Sequence, residues 1–166
     1  ACHWYGKGRL PELNEVVEKI EDMLSPKDLK GEQILITGGP THEPIDPVRF
    51  ITNRSSGKMG YALAKMARRR GADVILIAGP TSLPLPGRDI KWVPVWTAEE
   101  MRKAVFNYLE GSSVVIKAAA VSDYRPKVIS QKKIKKGGSD TTLVLERTKD
   151  ILEELGKKKG NRILIG

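Results

Sequence analysis

The octapeptide QILITGGP, residues 33–40, decides the fold because it joins a short apolar run to an abrupt stop. The run has the length of a strand, and the glycines and proline at 38–40 end it, as expected for an inner strand of a parallel sheet. Apolar residues at helical spacing follow over 59–67, and the run DVILIA at 73–78 is a second apolar strand. Strand, loop, helix and strand predict a βαβ unit.

The same alternation extends from this unit in both directions. The sequence predicts a helix over 12–24, a long loop over 38–56, a strand over 90–95, a helix opened by Thr97 with Glu100 as its capping-box partner, a strand over 113–120, a strand over 141–146, a helix over 149–155 and a strand over 162–165. This order predicts an α/β fold with a doubly wound, mainly parallel, Rossmann-like sheet. Because such folds place a loop and a covering helix after the last strand, we expect the sheet to be incomplete at the C-terminus.

Composition limits the classes of protein to which the chain can belong. Its 166 residues are 40% hydrophobic, which is enough for one domain with a buried core. The single cysteine, Cys2, excludes an intramolecular disulfide framework and fits a reducing compartment. The sequence shows neither an apolar run long enough to cross a bilayer nor a secretory signal, so we expect a cytoplasmic protein with no membrane partner.

The net charge of +9 arises from 29 Lys and Arg against 20 Asp and Glu, with clusters at 68–70, 132–136 and 157–159. Such a surplus attracts polyanions, which include nucleic acid, nucleotides and phosphorylated metabolites. Aromatic residues form only 5% of the chain and none interrupts the 132–136 run, which argues against a stacking platform for nucleic acid. Two histidines and one cysteine without ligand spacing argue against a structural zinc site.

The segment ITNRSSGKMG, residues 51–60, is the first candidate site. Ser55 and Ser56 are predicted to cap the following helix, and Gly57 lets the backbone approach a ligand. The first-turn N–H groups of that helix have no intrahelical partners, so they can bind a phosphate. The alternative is that these residues only cap the helix.

Two nucleotide-binding signatures fail on spacing. Gly38 and Gly39 follow the first strand where a phosphate-binding turn would lie, but no G-x-G-x-x-G opens the helix, and the second strand ends without an acidic residue for a ribose diol. Lys58 is followed by Met59 rather than by Ser or Thr, so the segment is not a Walker loop. NAD is therefore disfavoured, although an NAD(P)-binding oxidoreductase domain remains an alternative.

Two later segments supply further candidates. In AAAVSDYRP, residues 118–126, small side chains leave room for a base or ribose at a strand end, and Asp123 could hold a hydroxyl or a hydrated Mg²⁺. The alternative is tight packing beside an ordinary turn residue. The run KKIKK at 132–136, followed by Gly137 and Gly138, is predicted to be a mobile loop that closes over a triphosphate. Its alternative is a solvated basic surface.

Together the segments 38–49, 51–60, 118–125 and 133–136 resemble phosphopantothenoylcysteine synthetase, over about residues 31–166. The resemblance is to the bacterial form that follows the decarboxylase half of a bifunctional coenzyme A biosynthesis flavoprotein. It implies ligation of 4′-phosphopantothenate to cysteine with CTP and Mg²⁺ through an acyl-cytidylate, by a domain that forms a homodimer and binds no nucleic acid.

The resemblance also implies roles for individual residues. Asn53 matches the residue that holds the acyl-cytidylate, and Lys133 matches the essential lysine of the mobile basic loop; we take both as catalytic candidates. Asp123 is the candidate metal ligand. The residues expected to bind the nucleotide or its phosphates are Gly38, Gly39, Ser55, Ser56, Gly57, Ala119, Asp123 and Lys136.

The ends of the chain depart from the family pattern. Residues 1–30 resemble the tail of the decarboxylase half with a linker helix, in which Cys2 matches a proton-donating cysteine but is followed by His3 instead of glycine. FMN belongs only to the absent decarboxylase half, so we expect no FMN binding here. The family's Phe-Ala-Ala-Glu-Thr segment after the last strand is absent, so we expect residues 31–166 to be a truncated ligase domain without independent activity. A basic nucleic-acid-binding module remains the non-enzymatic alternative.

Overall fold

The structure is a computed structural model that describes residues 11–137 and 140–166. The expectations for Cys2, His3 and Gly138 lie outside these residues. The described elements, in chain order, are α1 (Leu13–Leu24), β1 (Gln33–Gly38), β2 (His42–Pro44), β3 (Phe50–Thr52), α2 (Lys58–Arg69), β4 (Asp73–Ala78), β5 (Lys91–Pro94), α3 (Ala98–Tyr108), β6 (Val114–Lys117), β7 (Tyr124–Pro126), β8 (Leu145–Arg147), α4 (Ile151–Lys157) and β9 (Ile163–Ile165).

Five parallel strands form the main sheet in the order β5-β4-β1-β6-β9, which confirms the predicted doubly wound fold. Within the sheet, Ile34 of β1 lies between Val74 of β4 and Val114 of β6. The strand order reverses between β1 and β6. Ligands of open α/β sheets bind outside the carboxyl ends of the strands at such a switch point.

Helices cover both faces of this sheet because successive residues of the inner strands, which point to opposite faces, are apolar. On one face Ile36 and Leu76 pack against Ala64 of α2. On the other face Leu35 and Ile77 pack with side chains of α3 and α4. Arg102 and Glu154 join those two helices by paired hydrogen bonds of 2.8 and 2.7 Å. The capping box is also confirmed, since Thr97 Oγ1 accepts from the Glu100 N–H at 3.2 Å.

Three sequence predictions need correction, one about a loop and two about strands. The predicted loop over 38–56 contains an antiparallel hairpin of β2 and β3, whose turn is held by the Asp46 carboxylate. The strand predicted over 113–120 is shorter, and the one predicted over 141–146 lies at Leu145–Arg147. β8 pairs with β7 in a two-stranded antiparallel sheet that is separate from the parallel sheet.

Helix α1 contacts α2 through charged side chains. Glu18 pairs with Lys65, Glu21 with Arg69, and Asp22 Oδ2 lies 2.5 Å from an Arg68 nitrogen. The apolar stripe of α1 faces away and contains no buried residue. In the part of the chain that the structure describes, no helix has both the length and the apolarity needed to cross a membrane.

Candidate functional site

The chain segments that leave β1 and β6 are hydrogen-bonded to each other at the switch point. The Ala120 N–H donates to the Gly39 carbonyl at 2.9 Å, and the Thr41 N–H donates to the Ala120 carbonyl at 3.2 Å. The buried hydroxyl of Thr41 accepts from the Ser122 N–H at 3.0 Å. The expected ligand-binding edge is therefore a rigid backbone platform.

Asn53 is tied to this platform from the hairpin side. Its Nδ2 donates to the Val121 carbonyl at 3.0 Å and to the Ala120 carbonyl at 3.4 Å. The side chain is exposed, and its amide oxygen takes no part in these bonds. Asn53 thus presents a fixed polar group between the segments that follow β3 and β6.

The serines ahead of α2 do not cap the helix as predicted. The N-cap is Gly57, whose φ of 75° places it in the left-handed region and which has no side chain to cap the helix. The Ser55 hydroxyl accepts from the Gly57 N–H at 3.3 Å, and the Ser56 hydroxyl from the Lys58 N–H at 3.5 Å. A capping hydroxyl accepts from the second or third helical residue, so the N–H groups of Met59 and Gly60 are left for another acceptor.

Gly57, after these serines, and Gly39, after β1, have a packing role that could not be foreseen from the sequence. A Cβ on Gly57 would lie 2.7 Å from Thr81 Cγ2 and 3.2 Å from the Cα of Gly39. Gly39 also has a positive φ of 73°. Close approach of chain to chain therefore explains Gly39 and Gly57, and their binding of a phosphate remains a prediction.

A cavity of about 740 Å³ opens between the carboxyl end of β6 and α4. Ala119 and Asp123 line it, as expected of nucleotide contacts, together with Thr148 and Asp150. Among residues 11–137 and 140–166, no cluster of three His, Cys, Asp or Glu side chains could hold a metal ion. Mg²⁺ commonly takes one or two protein carboxylates and the phosphates of its nucleotide, so Asp123 and Asp150 suit it.

Lys117 lines the same cavity and was missed by the sequence analysis. Burial lowers the pKa of its ammonium group, and the carboxylates of Asp150 and Asp123 partly oppose that effect. The signal in the sequence was a lysine ending the otherwise apolar strand VVIK. A partly buried cation beside two carboxylates in a cleft is a candidate functional group.

Lys133 and Lys136 line a second cavity, of about 1020 Å³, with Lys135 and Arg49. Its other described walls include Ile45 of the hairpin turn, so the basic run lies against the hairpin. Neither cavity is lined by Asn53 or by the serines ahead of α2. The structure therefore brings Ala119 together with Asp123, and Lys133 with Lys136, as two separate groups.

Comparison with known proteins gives a consistent relationship. The sequence pattern of the family described as "DNA/pantothenate metabolism flavoprotein C-terminal domain" matches residues 29–166. The chain is 49% identical over 169 residues to the coenzyme A biosynthesis bifunctional protein CoaBC of Bacillus subtilis (strain 168), covering 100% of this chain and 42% of that protein. It is 43% identical to CoaBC of Escherichia coli (strain K12), covering 98% of this chain and 41% of that one. The chain thus spans less than half the length of these relatives.

Solved structures agree with the sequence comparison. The crystal structure of the C-terminal domain of CoaBC superimposes with a TM-score of 0.73 at 48% identity, over 83% of this chain and 64% of that one. A complex of the Cab2 mutant H337A with phosphopantothenate-cysteine shares the fold, with a TM-score of 0.62 at 20% identity, over 89% of this chain and 67% of that one. On the pattern matched over residues 29–166, the chain belongs to the family of DNA/pantothenate metabolism flavoprotein C-terminal domains.

Proposed function

We propose that this domain ligates 4′-phosphopantothenate to cysteine in coenzyme A biosynthesis, using CTP through an acyl-cytidylate. The observation that carries the proposal is the attachment of Asn53 to the backbone after β6, at the switch point of the sheet. Relatives named for coenzyme A biosynthesis and a related fold solved with phosphopantothenate-cysteine support the same substrate class.

The proposed chemistry has two displacement steps. A carboxylate oxygen of 4′-phosphopantothenate attacks the α-phosphorus of CTP, and the bond to pyrophosphate breaks. The cysteine nitrogen then attacks the acyl carbon, CMP leaves, and the amine proton passes to solvent. Both steps need anions held in line and charge neutralised, which is what fixed donors and cations supply.

The described residues fit these needs at three places. The exposed amide of Asn53 holds the acyl-cytidylate beside the switch point, and the free N–H groups at the start of α2 face a phosphate. Ala119 and Asp123 receive the nucleoside in the cavity beside α4. Lys133 and Lys136 bring positive charge toward the phosphates from the basic run. Mg²⁺, when bound, neutralises charge on the phosphates.

The alternatives have weaker support. An NAD(P) site needs a G-x-G-x-x-G turn that opens the first helix and an acidic residue after the second strand, whereas α2 starts after Ser55, Ser56 and Gly57, and β4 ends at Ala78 and is followed by Gly79 and Pro80. A nucleic-acid module needs available cations and stacking side chains, whereas Arg68, Arg69 and Arg70 pair with carboxylates and no aromatic residue interrupts the basic run at 132–136. Neither class accounts for the position of Asn53.

The direct test is ligation by the longest natural open reading frame that contains residues 1–166. We expect cysteine-dependent release of CMP and pyrophosphate from CTP and 4′-phosphopantothenate. Calorimetry should show binding of CTP with Mg²⁺ and none of NADPH. Binding of NADPH alone, or of duplex DNA with steep salt dependence and no response to CTP, would refute the proposal in favour of one alternative.

Substitution of Asn53 tests the site within that protein. Asn53→Asp places negative charge beside the phosphates and removes the Nδ2 donor to the Val121 carbonyl, so we expect the ligation rate to fall by about 10²-fold, the scale of electrostatic effects on a transition state. Asn107→Asp is the matched control, because Asn107 lines a cavity with Gln33 and Asp73 at the amino ends of the strands. Equal ligation rates in the two variants would show that Asn53 does not take part in the site.

Lys133→Gln tests the basic run in the same assay. We expect loss of ligation with an unchanged melting temperature, because an exposed lysine contributes charge rather than packing. Lys159→Gln, in the exposed cluster after α4, is the control. Full activity of Lys133→Gln would show that the basic run is only a solvated surface.

A further inference from the structure

The carboxylate of Asp46, at the turn of the β2–β3 hairpin, is only 3% exposed and joins two parts of the chain. Its Oδ1 accepts from the N–H groups of Val48 and Arg49, both at 2.8 Å. Its Oδ2 accepts from the N–H of Ile134 at 3.1 Å and lies 3.0 Å from the Arg49 guanidinium. One side chain thus binds its own turn and a residue 88 positions later in the sequence.

Ile134 is held from both sides of its peptide unit. Its N–H donates to Asp46, and its carbonyl accepts from the guanidinium of Arg49. A third bond, from the Ser130 N–H to the Ile45 carbonyl at 3.0 Å, fixes the start of the same segment. The chain from 130 to 134 is therefore attached to the hairpin at two points.

The hairpin turn alone does not require a carboxylate at position 46. An asparagine oxygen accepts the two local N–H groups of such a turn equally well. The second oxygen is different, because an asparagine NH₂ placed there would face the Ile134 N–H and the Arg49 guanidinium, which are both donors. Only an ionised Asp46 satisfies both contacts, and the hydrogen bonds from Val48, Ile134 and Arg49 outweigh the effect of burial and lower its pKa.

We propose that Asp46 is a positioning residue for the basic run at 132–136. By holding Ile134, Asp46 keeps Lys133 and Lys135 on the wall of the 1020 Å³ cavity, beside Arg49. The proposal rests on the proposed function for its catalytic consequence, since the positioned group is Lys133. The physical benefit is preorganisation: lysine side chains on a fixed backbone lose less conformational freedom when they bind an anion.

Limited tryptic digestion of the full-length protein tests the positioning without any activity. In Asp46→Asn we expect cleavage after the four lysines of 132–136 to become about tenfold faster. Cleavage after the three lysines of 157–159 should keep its rate in the same molecule. Global destabilisation would raise both rates together. Asp28→Asn is the matched control, because it breaks another Asp–Arg pair, with Arg70, far along the chain from the hairpin.

Ile134→Pro provides a second variant that leaves the hairpin intact. It removes the N–H group that donates to Asp46, so we expect the same local increase in cleavage after Lys132, Lys135 and Lys136, and no further increase in the double variant with Asp46→Asn. The bond after Lys133 is left out of the comparison, because trypsin does not cleave a Lys–Pro bond. Unchanged local cleavage in both single variants would overturn the proposal. Additive effects in the double variant would also overturn it, since the two residues would then act independently.

Ligation kinetics separate the positioning from the proposed function. We expect Asp46→Asn to lower kcat about tenfold with the KM for cysteine unchanged, because cysteine does not depend on the basic run for binding. If local cleavage increases but the wild-type protein shows no CTP-dependent ligation, the proposed function fails and the positioning stands. If ligation occurs and Asp46→Asn leaves kcat unchanged, the catalytic consequence fails.

Discussion

Gly60 of α2 rests directly on Gly38, the last residue of β1, so that a Cβ on Gly60 would lie 2.8 Å from the Gly38 Cα and 2.9 Å from the Thr37 carbonyl oxygen. This contact sets the distance between the first helix and the first strand of the βαβ unit. The start of α2 can approach the carboxyl edge of the sheet only because Gly60 has no side chain.

The first prediction compares two glycines that both lie within helices. We expect Gly60→Ala to lower the free energy of unfolding by about 1–3 kcal/mol, because backbone must shift to admit the methyl group. Gly156→Ala in α4 meets no atom within 4 Å and should raise it by roughly 0.5–1 kcal/mol through helix propensity. Urea denaturation measures both. A change of the same sign in the free energy of unfolding of the two variants would contradict the packing explanation.

The second prediction concerns acid stability and His42. His42 stacks on Phe50 with ring centroids 4.0 Å apart, its Nδ1 is buried without a partner, and burial lowers its pKa below 6.5. The unfolded chain therefore takes up this proton first, so stability falls as pH drops from 6.5 through the lower folded pKa. His42→Phe keeps the stacking and should remove that part of the decline. Thermal melts from pH 7.5 to 5 check it, and an identical slope in the variant would disprove it.

The third prediction concerns Glu43, which is 2% exposed and accepts from the Ala98 N–H at 2.8 Å at the start of α3. We expect Glu43→Ala to lower the free energy of unfolding by about 1–3 kcal/mol, since it leaves a buried donor unsatisfied. Glu43→Gln retains an acceptor oxygen and should cost less. Glu110→Ala, at an exposed site after α3, is the control. By urea denaturation we expect Glu43→Ala to be the least stable variant, Glu43→Gln to be intermediate and the control to be the most stable.

The fourth prediction concerns Lys117. Because burial lowers its pKa from 10.5, the folded protein binds this proton less readily than the unfolded chain, and stability should rise with pH between the folded pKa and 10.5. Lys117→Met removes the buried charge, so we expect a higher melting temperature at pH 7, and a difference that shrinks as pH approaches 10.5. Lys149→Met, at an exposed position of the same cavity, is the control and should leave the melting temperature at pH 7 nearly unchanged.

The parallel sheet could be predicted because its inner strands are short apolar runs, and short runs of this kind are specified locally. The hairpin could not, because its strands are three residues each and show no alternation of polar and apolar side chains. Its turn depends on Asp46, whose second oxygen bonds to Ile134, and a contact of that separation leaves no local signal.

The candidate site was predictable as a set of segments but not as an arrangement. Ala119 and Asp123 share a cavity because both follow β6, which the motif itself implies. The attachment of the basic run to the hairpin rests on Arg49 and Asp46, which the sequence analysis did not connect with Lys133. The packing of Gly39 and Gly57 against Thr81 was equally hidden, because Thr81 lies in another connection.

The acidic face of α1 acts as a built-in competitor for the arginines of α2. A polyanion that approached Arg68 or Arg69 would first have to displace Asp22 and Glu21, so binding there carries the additional cost of separating two helices. Added salt would weaken the polyanion and the competitor alike, which flattens the salt dependence expected from counterion release. The formal charge of +9 therefore overstates what this face offers to an anionic partner.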